Sequence, residues 1–347
     1  MVGFVSQPTL QLIRTMTKEA EIPDHPYDRL SPDLILDAVE SAGFQVDGTL
    51  LPLNSYENRV LQVGLDEKPP LVAKFYRPGR WTDEAILEDH AFSLELAEQE
   101  IPVVPPLVDS EGRSLFEHQG FRFALYPRQG GRSPNLEDPD NLEWIGRFIG
   151  RIHAVGASRA FRHRETLDVD SLGWQSTQWL RGSPLLPAEI ATSYLSLAED
   201  LLTSIDQIFD NLDFRPLRLH GDCHPGNILW TDQGPHFVDM DDCRNGPAIQ
   251  DLWMLLSGDR QEMTCQLAEL LEGYRQFHDF DTRELALIEP LRSLRLIHYN
   301  AWLARRWDDP AFPRAFPWFG TPAYWQEQLG LLRQQQHLLR EPPLMLF

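Results

Sequence analysis

"LHGDCHPGNILW" (residues 219–230) packs His220, Asp222, Cys223 and His224 into five positions and runs on to Asn227. His, Cys and Asp are favoured zinc ligands, so the stretch first reads as a transition-metal clamp. Its surroundings argue otherwise. No CxxC pair completes a tetrahedral set, and a second carboxylate cluster, "FVDMDD", follows at 237–242. "NILW" and "HFVD" are apolar segments joined by the turn-rich "TDQGP". Folded as a hairpin, they bring Asn227, at the start of one strand, beside Asp239, at the end of the other. Asp222, in the loop entering that hairpin, reaches the same space. Two aspartates and an asparagine form an oxygen-donor set, which suits a hard cation such as Mg²⁺ better than zinc.

The chain that carries this stretch has 347 residues, enough for two domains, and a formal charge of −21. A field of that sign repels phosphate backbones, so no nucleic-acid partner is expected. It still permits a small anionic ligand met locally by one lysine and bound cations. Three cysteines are too few for a disulfide scaffold. No apolar run approaches the length of a membrane span, and the N-terminus has no basic start followed by an apolar block. The expectation is a cytoplasmic monomer without membrane insertion.

Upstream of the hairpin, "SPDLILDAVESAGF" reads as a helix capped by Ser31, with Pro32 in its first turn and Gly43 beyond its end. Strand-like runs follow at "TLLPL", "RVLQVGL" and "LVAKFY", with "DEKPP" as a turn. A helix is expected at "WTDEAILEDHAFSLELAEQE", then strands near Leu107 and at "FRFALYP". With one helix inside a β-rich unit, the class is α+β rather than doubly wound α/β. Beyond Pro127 helical periodicity takes over, in "NLEWIGRFIGRIHAVG", "PAEIATSYLSLAEDLLTSIDQIFDNL" and "ALIEPLRSLRLIHYNAWLARRW". The expected division is a loosely ordered extension over 1–29, a small nucleotide-binding lobe over 30–127, and a larger helical lobe over 128–347 carrying the catalytic loop and the acceptor site.

The order of features matches phosphoryl-transfer chemistry. An Asp, an Asn five residues later and a further Asp about a dozen residues on is the layout of kinase catalytic loops. In that chemistry Asp222 orients the acceptor hydroxyl and takes its proton, while Asn227 and Asp239 hold Mg²⁺ against ATP. Such catalysis is mostly positioning and charge neutralisation. A lysine on a strand of the small lobe must grip the phosphates, and Lys74 in "LVAKFY" has that place. Glu88 on the following helix is its expected partner, with Glu84 as the alternative.

At "LHGDCHPGNILW", "FVDMDD" and "IQDLWMLL" the sequence resembles the aminoglycoside and choline kinase-like phosphotransferase family, over about residues 30–345. "KFYRPGRW", "ILEDHAF" and "DPAFPRAFPW" resemble a group within it regarded as bacterial Ser/Thr protein kinases acting under stress. The resemblance implies a bilobal protein-kinase-like fold, with Asp222 as catalytic base and Asn227 and Asp239 as metal ligands. It also implies Lys74 paired to Glu88, and Asp251 bracing the catalytic loop through backbone N–H groups. Two departures stand out. "LNSYENR" replaces a glycine-rich phosphate loop, leaving Ser55 to cover the nucleotide, and His224 stands where protein kinases carry a lysine. "DMDD" replaces their D-F-G, making Asp241 a candidate for an additional metal contact.

Plainer roles are expected for several of these residues. His220 more often buttresses a loop than transfers protons, and His153 reads as a satisfied buried histidine. Cys223 reads as inert packing, because its acidic neighbours oppose thiolate formation. Arg292, Arg295, Arg305 and Arg306 form either a solvated helix face or part of an acceptor site. The leading expectation is an ATP- and Mg²⁺-dependent kinase of protein Ser/Thr hydroxyls in a stress response. The rivals are a small-molecule kinase acting on an amino alcohol, aminoglycoside or sugar, and a non-catalytic nucleotide-binding regulator.

Overall fold

The computed structural model describes His25 and residues 27–346. Helix α1 (Pro32–Ser41) starts as its sequence dictates: the Ser31 hydroxyl accepts the Leu34 N–H at 3.2 Å. An antiparallel sheet follows, built from β1 (Val46–Pro52), β2 (Arg59–Leu65), β3 (Lys68–Phe75), β4 (Phe116–His118) and β5 (Phe121–Pro127), in the order β1-β2-β3-β5-β4. Helix α2 (Asp83–Glu98) connects β3 to β4. The expected strand near Leu107 lies instead at Phe116–His118. Leu107 gives the sheet a single bond, its N–H donating to the Leu125 carbonyl at 2.7 Å. The "DEKPP" turn is also shorter than expected, because Lys68, Pro69 and Pro70 already belong to β3.

Strand alternation decides which face of the sheet does what. Leu71, Ala73 and Phe75 of β3 enter the core shared with α1, alongside Val63 and Phe123. Lys74 therefore points to the opposite face. Tyr27 joins the α1-side core, and its hydroxyl donates to the Phe75 carbonyl at 3.0 Å. The end of the expected loose extension is thus packed where it is described, because an aromatic ring there fills the sheet's edge; the remainder of 1–29 lies outside the described residues.

After β5 the chain is mainly helical. It comprises α3 (Pro139–Gly156), α4 (Gln175–Arg181), α5 (Ala188–Asp210), α6 (Gln250–Trp253), α7 (Arg260–Tyr274), α8 (Ile288–Arg305), α9 (Ala311–Ala315) and α10 (Pro322–Leu338). Between α5 and α6 come β6 (Leu217–Leu219), the hairpin β7 (Ile228–Thr231) and β8 (Gly234–Phe237), and β9 (Arg244–Gly246), which pairs with β6. The hairpin turn is tighter than "TDQGP" suggests, since Thr231 already pairs with Gly234. One core joins α2, α3, α7 and the catalytic segment, through Phe92, Ile149, Leu219, Phe237 and Leu270. A second joins α5, α8 and α10 around Trp325. Among the described residues no helix is long and apolar enough to cross a membrane.

Candidate active site

The loop between β6 and β7 is shaped by backbone constraints before any side chain acts. Gly221 has φ +86°, and a Cβ there would lie 2.1 Å from the Asp242 carbonyl oxygen. Only glycine fits that left-handed, close-packed position. Buried Asp251 of α6 then fixes the loop, accepting the N–H groups of His220 (2.7 Å) and Gly221 (2.8 Å) and an Nε2 contact from His153 at 3.0 Å. Burial pushes the Asp251 carboxyl up, but these partners outweigh it and hold it below the ordinary carboxylate range. His153 is satisfied on its other side by the Tyr274 hydroxyl at 2.8 Å. His220 is equally tied, with Nε2 on the Val238 carbonyl at 2.9 Å and Nδ1 accepting the Asp222 N–H at 3.4 Å. His220 holds backbone directly, while His153 holds the Asp251 side chain that does so.

The structure sets Lys74 against Asp239 and Asn227 against Asp222, with the Val238 N–H next to Asp239 donating to the Asn227 carbonyl at 3.0 Å. The Asn227 amide nitrogen donates to the Asp222 carbonyl at 3.0 Å. Since a carbonyl can only accept, this bond leaves the amide oxygen of Asn227 as the outward group. Asp239 is exposed and adopts a left-handed backbone (φ 60°, ψ 64°), an uncommon conformation for a non-glycine residue that clusters at functional sites. Lys74 Nζ lies 2.8 Å from Asp239 Oδ1 and 3.2 Å from Asp241 Oδ1. Burial works against its charge, but the two carboxylates outweigh it, and the ammonium stays charged well above its usual range.

The expected Lys74–Glu88 pair is not formed. Glu88 instead accepts the N–H groups of Arg162 (2.7 Å), His163 (2.7 Å) and Arg164 (2.9 Å), pinning that segment to α2. Its neighbour Asp89 is the α2 carboxylate turned inward, 3.5 Å from Arg164 and with its pKa pushed up to about 6 by burial. The partner role toward Lys74 falls to Asp239 and Asp241. Asp241 is buried and crowded with cations and donors: Lys74, Arg80 and, at 3.1 Å, the Asn58 amide. These hold its carboxyl below its ordinary range despite burial, so Asp241 serves as their internal counter-ion. Ser55 lies half-buried in the same 53–58 loop as Asn58, making no hydrogen bond to these residues.

His224 accepts the Gly226 N–H on Nδ1 at 2.9 Å and places Nε2 3.5 Å from Asp222 Oδ2. Burial lowers its pKa, favouring the neutral ring. The cation beside Asp222 is Arg295 of α8, with Nη1 2.6 Å from Oδ1. Motif spacing gives no link between Arg295 and Asp222, or between Arg80 and Asp241, because each pair comes from distant parts of the chain. Cys223 is buried, and burial raises its thiol well above the usual value, so it stays a protonated thiol. Among the described residues no group of three or more His, Cys, Asp and Glu is arranged to hold a metal. The donors that do converge, a carboxylate and an amide oxygen, suit a hard divalent cation.

The phosphotransferase enzyme family (APH) matches residues 49–288. Stress response kinase A of Escherichia coli O157:H7 is 47% identical over 320 residues, covering 92% of this chain and 97% of that protein. The serine/threonine protein kinase RdoA of Salmonella typhimurium (strain LT2) is 46% identical with the same coverage. Among solved structures, the amicoumacin kinase hAmiN in complex with AMP-PNP, Ca²⁺ and Ami superposes with a TM-score of 0.68 at 17% identity, covering 89% of this chain and 94% of that one. That likeness speaks for the fold. With the mixed sheet-and-helix architecture and near-half identity to kinases along almost their whole length, the chain belongs to the APH phosphotransferase enzyme family, alongside the stress response kinases A.

Proposed function

We propose that this phosphotransferase is an ATP- and Mg²⁺-dependent kinase of protein Ser/Thr hydroxyls, acting in a bacterial stress response. The observation that supports the phosphoryl-transfer chemistry is the pairing of Lys74 with Asp239 and of Asn227 with Asp222 around the β7–β8 hairpin. The names of the close relatives support a protein acceptor and the stress context. Residues 30–127 contribute Lys74 and the loop over the nucleotide, including Ser55; residues 128–347 contribute the catalytic loop and the acceptor site.

In this reading Lys74 grips the α- and β-phosphates, exchanging part of its contact with Asp239 for phosphate oxygens. Asp222 accepts a hydrogen bond from the acceptor hydroxyl and takes its proton as the new O–P bond forms. The bond from the γ-phosphorus to the β-phosphate oxygen breaks, and ADP leaves with the electron pair. Asn227 and Asp239 would hold Mg²⁺, whose charge neutralises the phosphates when bound. Arg295 supplies positive charge beside Asp222, where neutral His224 does not.

Incubation with γ-labelled ATP and Mg²⁺, wild type beside Asp222→Asn, tests this. Label in acid-stable phosphoserine or phosphothreonine, with a rate loss of about a hundred- to ten-thousand-fold in the variant, is the expected result. Label only on metabolites would replace the protein acceptor by a small molecule. ATP binding without transfer to any acceptor would leave a nucleotide-binding regulator.

A further inference from the structure

The basic stripe on α8 splits in two. Arg306 turns to Glu57, and the Arg305 guanidinium lies 5.6 Å from the Trp179 ring centroid. Arg292 and Arg295, three residues apart and so on one face of the helix, line a cavity of about 630 Å³ instead. His224 is at its inner end, and the Arg295 contact to Asp222 puts the cavity directly beside the proton acceptor. Trp253, Met254, Met263 and Tyr299 form apolar walls, and no Asp or Glu lines it. Arg292 is held by Glu289 at 3.2 Å, by the Met263 sulfur at 3.5 Å and against the Trp253 ring, so its position is built rather than freely solvated.

Each arginine already meets one carboxylate, Arg292 that of Glu289 and Arg295 that of Asp222, but among the described residues no Asp or Glu belongs to the lining itself, which is notable in a chain of charge −21. An amino-alcohol or aminoglycoside acceptor is cationic and would meet like charge here. An acceptor with carboxylates beside its hydroxyl would meet opposite charge. The wider negative field is screened over about 10 Å, whereas Arg292 and Arg295 act in direct contact. We propose that this cavity is an acceptor subsite for a Ser or Thr residue flanked by acidic side chains, the hydroxyl reaching Asp222 while neighbouring carboxylates engage Arg292 and Arg295. This rests on the protein-kinase reading and adds the acceptor's chemistry to it.

The test uses the full chain with ATP, Mg²⁺ and three single-serine peptides that differ only in their flanks: acidic, neutral amide, or basic. The expected kcat/KM order is acidic, neutral, basic, with at least about tenfold between the extremes, carried mainly by KM and shrinking as salt rises. Arg292→Glu should abolish or invert that order, with a circular-dichroism spectrum and thermal melt reporting that the variant is folded, and Arg292→Gln, which keeps the side chain's reach without its charge, reducing the preference. Equal rates on all three wild-type reactions, or preference for the basic peptide, would overturn the acidic-flank proposal alone. Transfer to a small hydroxyl compound with no label on any peptide or protein would overturn the protein-kinase reading first, and the proposal with it.

Discussion

Lys74 has carboxylate partners before any nucleotide arrives, and that shapes what its removal does. Replacing it with Met takes away the proposed phosphate grip and also removes one cation from Asp241, leaving Arg80 as the remaining close one. Lys74→Met should therefore weaken ATP binding by at least about tenfold and also lower stability by about 1–3 kcal/mol, read by nucleotide titration and thermal melting. A melting temperature unchanged from wild type would mean that the Asp239 and Asp241 contacts contribute nothing to the fold. At this scale the sequence assembled the candidate set: Asp222, Asn227, Asp239 and Lys74 follow from spacing within one hairpin and one strand, and the family resemblance adds Asp251, which accepts the His220 and Gly221 N–H groups. It hid the partners. Glu88 and Asp89 are adjacent on α2 and project about 100° apart, so which one faces the lysine depends on how the whole helix is rotated against its neighbours. The geometry answers with neither: Glu88 caps residues 162–164, Asp89 meets Arg164, and Asp241 meets Lys74.

Helix α3 illustrates what periodicity reveals and what it leaves out. Its apolar stripe at Leu142, Ile145, Ile149 and Ile152 is buried, as amphipathic spacing requires. The same face carries Gly146, where a Cβ would lie 1.9 Å from the Leu270 carbonyl oxygen of α7. The two helices cross backbone to backbone there, at a distance no side chain survives. This closeness matters for the site because α3 also supplies His153, whose ring connects Tyr274 of α7 to Asp251 and so to the catalytic loop. Gly146→Ala must push α7 away and should cost about 1–3 kcal/mol, with a loss of kcat larger than that of a surface Gly→Ala control. Chemical denaturation and steady-state rates measure the two effects separately. The sequence reading of α3 gave Gly146 no role. Its role depends on which helix packs opposite, and pattern along a single element does not carry that. The strand at Phe116–His118 was missed for a related reason: three residues have too little alternation to read, and only β5 beside them gives the segment its pairing.

At the scale of the whole molecule, the sheet and the helical half are joined by buried charge. Asp309, fully buried just before α9, accepts both oxygens' worth of contact from Arg59 at 2.9 Å and a further bond from Arg77 at 2.7 Å, while His25 Nε2 lies 3.6 Å away. Glu57 in the 53–58 loop meets Arg77 and Arg306, and accepts from the Trp302 indole at 2.6 Å. Burial raises the Asp309 carboxyl, but the Ala311 N–H, Arg77 and Arg59 outweigh it and hold it below the ordinary value; Asp241 and Asp242 are held low in the same way by arginines and Lys74. A carboxyl lowered in the folded state adds stability that is present above the ordinary carboxylate range near pH 4 and drains as pH falls below it. Asp89 and Glu284 work in the opposite sense. Burial raises them to about 6 and about 7, so their contribution is present below the ordinary range and is lost as pH rises through those values. Self-repulsion at a charge of −21 grows in the same direction. Stability should therefore peak in mildly acidic solution, between about pH 4 and 6, and collapse steeply below it. Asp309→Asn isolates the ionic join. It should lower stability by up to about 3 kcal/mol at pH 7, since Arg59 and Arg77 lose their buried counter-charge but Arg59 can turn partly to water. At pH 3, where the unfolded chain binds a proton at Asp309 that the folded pairs still resist, the gap between variant and wild type should narrow. Thermal melts of both proteins at pH 7, 5 and 3 decide it: a gap that stays constant across the three would show that the loss comes from packing around Asp309 and not from its charge.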